Sequence, residues 1–324
     1  MKKIAVLGGG TGTFVVLSSL KKYPLDLGVI VTMMDSGGST GRLRDQLGVL
    51  PPGDLRQCLV ALSESSEIWR KLFLYRFETG DLKGHNFGNI FLAALEKVSD
   101  SYTQVVDLAS VVLKTKGEVI PVTYEKTHLG VKYESGAVIE REGNIDEDNE
   151  ETSRIVEAYL KPPVPSNEKA IKRLLYSDYI IVGPGDIYTS LVPVLLADGI
   201  KDTIKKSKAK LILILNLMTK HGQTTNYSAS NYVEDIQRYS GRLPDFVIVN
   251  TQPIPTDMLK WYEDHKENLV ENDLKQSNYK GKVILGDLLD ETKVITSSAD
   301  KLNRSVLRHS SEKLAKLLME KVIK

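Results

Sequence analysis

The chain has 324 residues, 41% of them hydrophobic and 26% charged. Lys and Arg total 43 against 42 for Asp and Glu, a net charge of +1, which lacks the broad basic field that nucleic-acid binding needs. The single cysteine, Cys58, excludes an internal disulfide and reads as a small buried hydrophobe in a cytoplasmic protein.

In chain order, "MKKIAVLGGG" carries two lysines, but its apolar run ends at Gly8, too short for a secretory leader. Residues 4–7 read as a buried strand and 14–20 as a helix, with residues 29–34 as the next strand. Residues 54–113 hold no convincing strand and read as a helical block. Residues 117–160 read as a β-rich insertion of short strands and turns, whose acidic run 140–151 is expected to be a solvated loop. Apolar runs at 179–182, 211–215, 246–249 and, more weakly, 283–285 are further strands without alternation, the pattern of a parallel sheet covered on both faces. Helical periodicity occupies 190–205, 229–239 and 256–265, and a last helix is expected over 312–323. No stretch is long and apolar enough to cross a bilayer, so no membrane insertion is expected. The alternation of strand and helix predicts an α/β fold, a Rossmann-like doubly wound, mostly parallel sheet in one domain over residues 1–324.

Five of the apolar runs stop at Gly8, Asp35, Gly183, Asn216 and Asn250. Open α/β sheets bind ligands beyond the carboxyl ends of their strands, so these termini predict a polar crevice. The loop Gly8, Gly9, Gly10, Thr11, Gly12 follows a strand and opens a helix, where backbone N–H groups can meet a phosphate. Thr13 stands where the dinucleotide pattern G-x-G-x-x-G has its third glycine, and no P-loop lysine follows. A second glycine-rich stretch runs through Asp35, Ser36, Gly37, Gly38 and Ser39 to Arg42 and Arg44. Its amides, hydroxyls and guanidiniums predict a second anion site, able to hold a diphosphate with no metal. Gly53 and Asp54 at a helix start, His85, Asn86 and Asn89 in "GHNFGN", and Gly183, Gly185, Asp186 and Ser190 in "GPGDIYTS" add polar groups. Asn216 and Thr219 follow the strand at 211–215. Asp35, Asp54 and Asp186 are the candidate catalytic acids, and one or two of them are the candidate Mg²⁺ ligands should phosphate bind with a metal. No cofactor is otherwise required.

The ordered set G-G-G-T-G, D-S-G-G-S-T-G-R-L-R, P-P-G-D-L-R, G-H-x-x-G-N, G-P-G-x-x-Y-T-S and N-L-M-T resembles the bacterial gluconeogenesis factor family. That family shares its fold with 2-phospho-L-lactate transferase. The "LRHS" at 307–310, with Arg308, resembles the family's C-terminal Arg-His element. The resemblance implies a cytoplasmic UDP-sugar-binding regulatory protein, with UDP-N-acetylglucosamine as the type ligand, linked to carbon metabolism and cell shape. A metal-dependent transferase of a nucleotide-activated phosphate ester is the alternative it carries. A homodimer or higher homo-oligomer is the expected assembly. Two positions and one run depart from the family pattern: Gln57 replaces an Asn, Asp186 a common Ser, and Lys220 to Thr224 a Q-P-G-E-T run.

Overall fold

The computed structural model describes residues 1–146, 149–290 and 306–324. Its strands are β1 (Lys2–Gly8), β2 (Leu25–Val31), β3 (Glu118–Pro121), β4 (His128–Tyr133), β5 (Val138–Glu140), β6 (Ile155–Lys161), β7 (Tyr179–Val182), β8 (Lys210–Ile214), β9 (Phe246–Asn250) and β10 (Lys282–Gly286). Seven form one sheet in the order β10-β9-β8-β7-β1-β2-β3, and every neighbouring pair is parallel. The α/β Rossmann-like expectation therefore holds. Residues 4–7, 29–31 and 180–182 are buried throughout, because helices cover both faces and leave no solvated side to alternate. The chain winds outward from β1 through β2 to β3, then returns to β7 and winds outward the other way. The order reverses between β1 and β7, which pair from Ile4 with Tyr179 to Leu7 with Val182.

After β1 comes helix α1 (Gly10–Leu20). Between β2 and β3 the helical block runs as α2 (Gly38–Leu47), α3 (Pro52–Leu62), α4 (Glu67–Leu74), α5 (Phe87–Val98) and α6 (Tyr102–Leu113). Cys58 is fully buried in α3, and burial pushes its thiol well above the usual range, so it serves as a core hydrophobe.

Five local expectations need correction. Residues 118–121 are not part of the insertion's sheet. They form the main sheet's edge strand β3, where Val119 and Ile120 pair with Val29 and Ile30. The strand expected over 29–34 is β2, which ends at Val31 and leaves residues 32–37 irregular. The second glycine-rich stretch is irregular only as far as Gly37: α2 starts at Gly38 and continues through both arginines. The single helix expected over 190–205 is broken into a π-helical turn, Ile187–Leu191, and two helices, Val192–Leu196 and Ile200–Lys206. Gly199, at φ +89°, makes the second break, a conformation that glycine adopts without strain. Finally, the acidic run holds a short helix, α7 (Glu142–Asp146), where a solvated loop was expected. The small antiparallel sheet β5-β4-β6 carries α7 toward the carboxyl ends of β1 and β7.

Candidate functional site

A cleft of about 220 Å³ opens at the point where the strand order reverses. Two loops make its floor. Gly10 sits at φ +63°, and a Cβ on Gly12 would overlap the backbone carbonyl oxygen of Pro184. The loop after β1 is therefore pressed against the loop after β7, with only hydrogens between them. Thr13, in place of a third glycine, lies fully buried and donates from Oγ1 to the Gly9 carbonyl at 3.1 Å. It fits because Gly8 has no side chain: a Cβ there would stand 2.6 Å from the Thr13 hydroxyl. No acidic residue occupies the first turn of α1, and its N-cap Gly9 provides no side-chain cap. The first amides of α1, the positive end of its dipole, thus border the cleft.

The cleft gathers many of the residues expected from sequence. Gly9, Gly10, Thr11 and Gly12 line it from β1, and Asp35 and Asp54 from the starts of the next segments. Gly185, Asp186 and Ser190 line it from the β7 loop, Asn216 and Thr219 from beyond β8, and Arg308 from the C-terminal segment. Asp186 precedes the π-helical turn that carries Ser190, which lets two polar side chains on one short segment face the same space. Gly8 and Gly183 lie beneath the two loops at φ +148° and +80° and serve the chain path.

The second glycine-rich stretch behaves differently. Apart from Asp35, none of its candidate residues lines the cleft. Arg44 is buried, donates to the Thr127 carbonyl at 2.6 Å and meets the His128 ring at 3.0 Å, tying α2 to β4. Arg42 is exposed and donates to the Lys83 carbonyl at 3.2 Å. Ser39 is buried against His85, with 3.2 Å between Oγ and Nδ1, and accepts from the Asn86 amide and Asn89 Nδ2 at 3.3 Å each. Asn89 Oδ1 accepts from Arg56 Nε at 2.8 Å, and Asn86 caps α5. Ser36 accepts from the Gly143 amide, Gly37 donates to Asp35, and Gly38 opens α2. Gly53 is a close-approach position: a Cβ there would meet Asp35 Oδ2 and the Thr40 hydroxyl. These groups bind one another, and apart from Asp35 they lie outside this cleft.

Sequence reasoning missed Glu142 and Asp146, which reach the cleft on α7, and Tyr262; Lys220 and His309, beside Thr219 and Arg308, line it as well. A signal for the first pair existed, since an acidic segment with Ile145 in its midst can bury a face, and Ile145 is fully buried. Glu142 Oε2 accepts from the Ser36 amide at 3.1 Å. Asp146 Oδ1 accepts from Gln223 Nε2 at 3.0 Å. A glutamate at 223, as in the family pattern, would set a second carboxylate against Asp146, so Gln223 and Asp146 account for one another.

The electrostatics follow from this crowding. Burial, then Asp35 and Asp146, push the Glu142 carboxyl well above its usual range. Burial and Asp146 raise Asp186 to about 6, against the pull of Lys220. Lys220 Nζ lies 3.6 Å from Glu267 and 3.9 Å from Asp146, and these acids with Asp186 raise it further despite burial. Asp35, Asp54, Glu142, Asp146 and Asp186 thus outnumber Lys220 and Arg308 in the lining. The Asp54 carboxylate abuts the α1 N-terminus: a Cβ on Gly9 would overlap it, and one on Gly10 would lie 3.6 Å away. An all-oxygen donor set suits Mg²⁺, which takes one or two carboxylates and completes its shell with phosphate and water. Among the described residues no three His, Cys, Asp or Glu side chains form a metal-holding group of their own.

Residues 4–289 match the family described as 2-phospho-L-lactate transferase CofD. The chain is 36% identical over 324 residues to the gluconeogenesis factor of Bacillus subtilis, a match covering 98% of this chain and 97% of that protein. This chain is a member of the gluconeogenesis factor family. The gluconeogenesis factor of Listeria monocytogenes is likewise 36% identical, over 98% of this chain and 94% of its own. A crystal structure of a UPF0052 family protein from Bacillus halodurans superposes at a TM-score of 0.89 with 32% identity, covering 99% of this chain and all of that one. The gluconeogenesis factor fold thus spans both sheets described here, and among the described residues no helix is long and apolar enough to cross a membrane.

Proposed function

We propose that the cleft binds a nucleoside-diphosphate-linked sugar, with UDP-N-acetylglucosamine as the type ligand, and that binding serves regulation of carbon metabolism, as the relatives' name suggests. The observation that carries this reading is the contact of Gly12 with the Pro184 carbonyl. It brings two glycine-rich loops and the first amides of α1 to one point at the strand-order reversal. Such a point accepts a diphosphate because glycines let it come close to the backbone and the first helix amides meet its charge. Thr13 and the absence of an acid-tipped β2 end argue against a nicotinamide cofactor, since β2 ends at Val31.

Because Arg42 and Arg44 lie elsewhere, the cleft has too few cations to balance a diphosphate among its acids. The ligand is therefore proposed to enter with Mg²⁺, held by Asp35, Asp54 or Asp186. Calorimetric titration of UDP-N-acetylglucosamine with Mg²⁺, then with EDTA, tests the reading, with NAD as the control. Saturable binding that weakens about tenfold or more in EDTA is expected; binding of NAD with no UDP-sugar binding overturns it.

A second reading has its own observation. Five carboxylates around one cleft, with Asp186 raised to about 6, provide metal ligands and a proton acceptor of the kind group transfer uses. Mass spectrometry of the nucleotide recovered after long incubation separates the two: an intact ligand supports the regulator, turnover the transferase.

A further inference from the structure

His309 lines the cleft from the C-terminal segment and is buried, at 5% exposure. Its position is fixed by backbone: the Asp290 amide donates to the Arg308 carbonyl at 2.9 Å, and the Ser310 amide to Leu288 at 2.7 Å. Leu289 and His309 face each other in an antiparallel bridge. This lays the imidazole beside the end of β8, where its ring bonds the Leu215 backbone carbonyl. A carbonyl can only accept, so that bond places the ring's proton on the nitrogen facing Leu215. Nε2 is buried and has no hydrogen-bond partner among the described residues. Burial holds the ring's pKa down to about 4, so at neutral pH a second ring proton is absent and Nε2 bears a lone pair.

An unpaired acceptor is costly in a folded protein unless a ligand or water completes it. The acids of the cleft cannot supply the missing donor when ionised, and neither can a phosphate oxygen. We infer that His309 Nε2 is the acceptor for an N–H or O–H of the ligand's uncharged part, so that His309 is a specificity-determining residue of the cleft. The inference rests on the nucleotide-sugar reading above. Two parts of such a ligand carry that chemistry, the imide N–H of the uracil and the hydroxyls of the sugar. Phosphate does not, so His309 separates ligands by what flanks the diphosphate. This complements the α1 amides, which read charge alone.

Two variants divide the ring's functions. His309→Asn keeps a donor for the Leu215 carbonyl and deletes Nε2. His309→Gln carries a polar atom to the Nε2 position and gives up the near donor. Each is titrated calorimetrically with UDP, UDP-N-acetylglucosamine and N3-methyl-UDP in Mg²⁺, beside the wild type, after thermal melts establish folding. The expected result is a loss of about tenfold for His309→Asn, the factor one hydrogen bond of ordinary strength corresponds to, with His309→Gln within about threefold of wild type. If the wild type prefers UDP to N3-methyl-UDP and His309→Asn abolishes that preference, the donor is the uracil imide. If only UDP-N-acetylglucosamine weakens, the donor is on the sugar. Wild-type binding of UDP-sugar with unchanged affinities and preferences in a folded His309→Asn overturns the inference and leaves the nucleotide reading standing. Absence of wild-type binding to every probe overturns both.

Discussion

The two glycine-rich stretches, 8–12 and 35–44, look alike in sequence and do opposite things in the fold. The first carries no capping side chain of its own and has the Asp54 carboxylate beside it. Gly9 caps α1 without a side chain, Gly12 touches the Pro184 carbonyl, and the helix amides border the cleft. The second is absorbed. Its Ser39 and Arg44 are buried in contacts with His85, Asn86, Asn89, Thr127 and His128, and only Asp35 reaches the cleft. Composition alone does not make an anion site. What decides is whether the donors are left over after the chain has satisfied itself, and buried donors are almost always satisfied.

That contrast can be broken most forcefully at Gly12. Gly12→Val places a side chain on the Pro184 carbonyl and forces the two loops apart, so UDP-N-acetylglucosamine affinity should fall at least about 100-fold, with a lower melting temperature. Wild-type affinity in the folded variant would remove the first loop from the site. Arg44→Ala should cost stability instead, about 2 kcal/mol by urea denaturation, since it strips a charged donor from the buried Thr127 carbonyl. Its ligand affinity, measured on the folded fraction, should stay within about twofold of wild type. A large affinity loss with unchanged stability would restore the second stretch as an anion site.

Lys220→Ala should weaken nucleotide binding about tenfold, because it removes a cation from a lining dominated by acids. Calorimetry on the variant would also show a steeper Mg²⁺ requirement. A smaller effect comes from Asp186. Burial and Asp146 raise its folded pKa to about 6 from 3.8, so the native state holds a proton that the unfolded state has released between these values. Stability from this group should therefore fall as pH rises from about 4 to 6, and Mg²⁺ should recover part of the loss above 6. Melting curves with and without Mg²⁺ across that range check the sign, and Asp186→Asn should flatten the slope. The smallest effect belongs to Arg42→Ala. Its exposed guanidinium bonds one carbonyl, so changes within about 0.5 kcal/mol and no shift in affinity are expected.

The sequence by itself determined the parallel sheet and the first loop. Unbroken apolar runs such as 4–7 and 179–182 have no stable place except strands covered on both sides, and a glycine turn between strand and helix starts the helix with no side-chain cap of its own. Residues read locally in those segments, Gly9 to Gly12 and Gly185, Asp186 and Ser190, therefore line the cleft. Tertiary structure decided the rest. Nothing local in "SGGSTGRLR" says that His85, Asn89 and Thr127, far along the chain, will take up its hydroxyls and guanidinium. Nor does the acidic run announce that the β5 edge will carry Glu142 and Asp146 over the β1–β7 junction, where Gln223 and Lys220 meet Asp146. Backbone form is set over short spans by periodicity and steric limits, whereas the fate of a polar side chain depends on partners brought together only when the sheet is assembled.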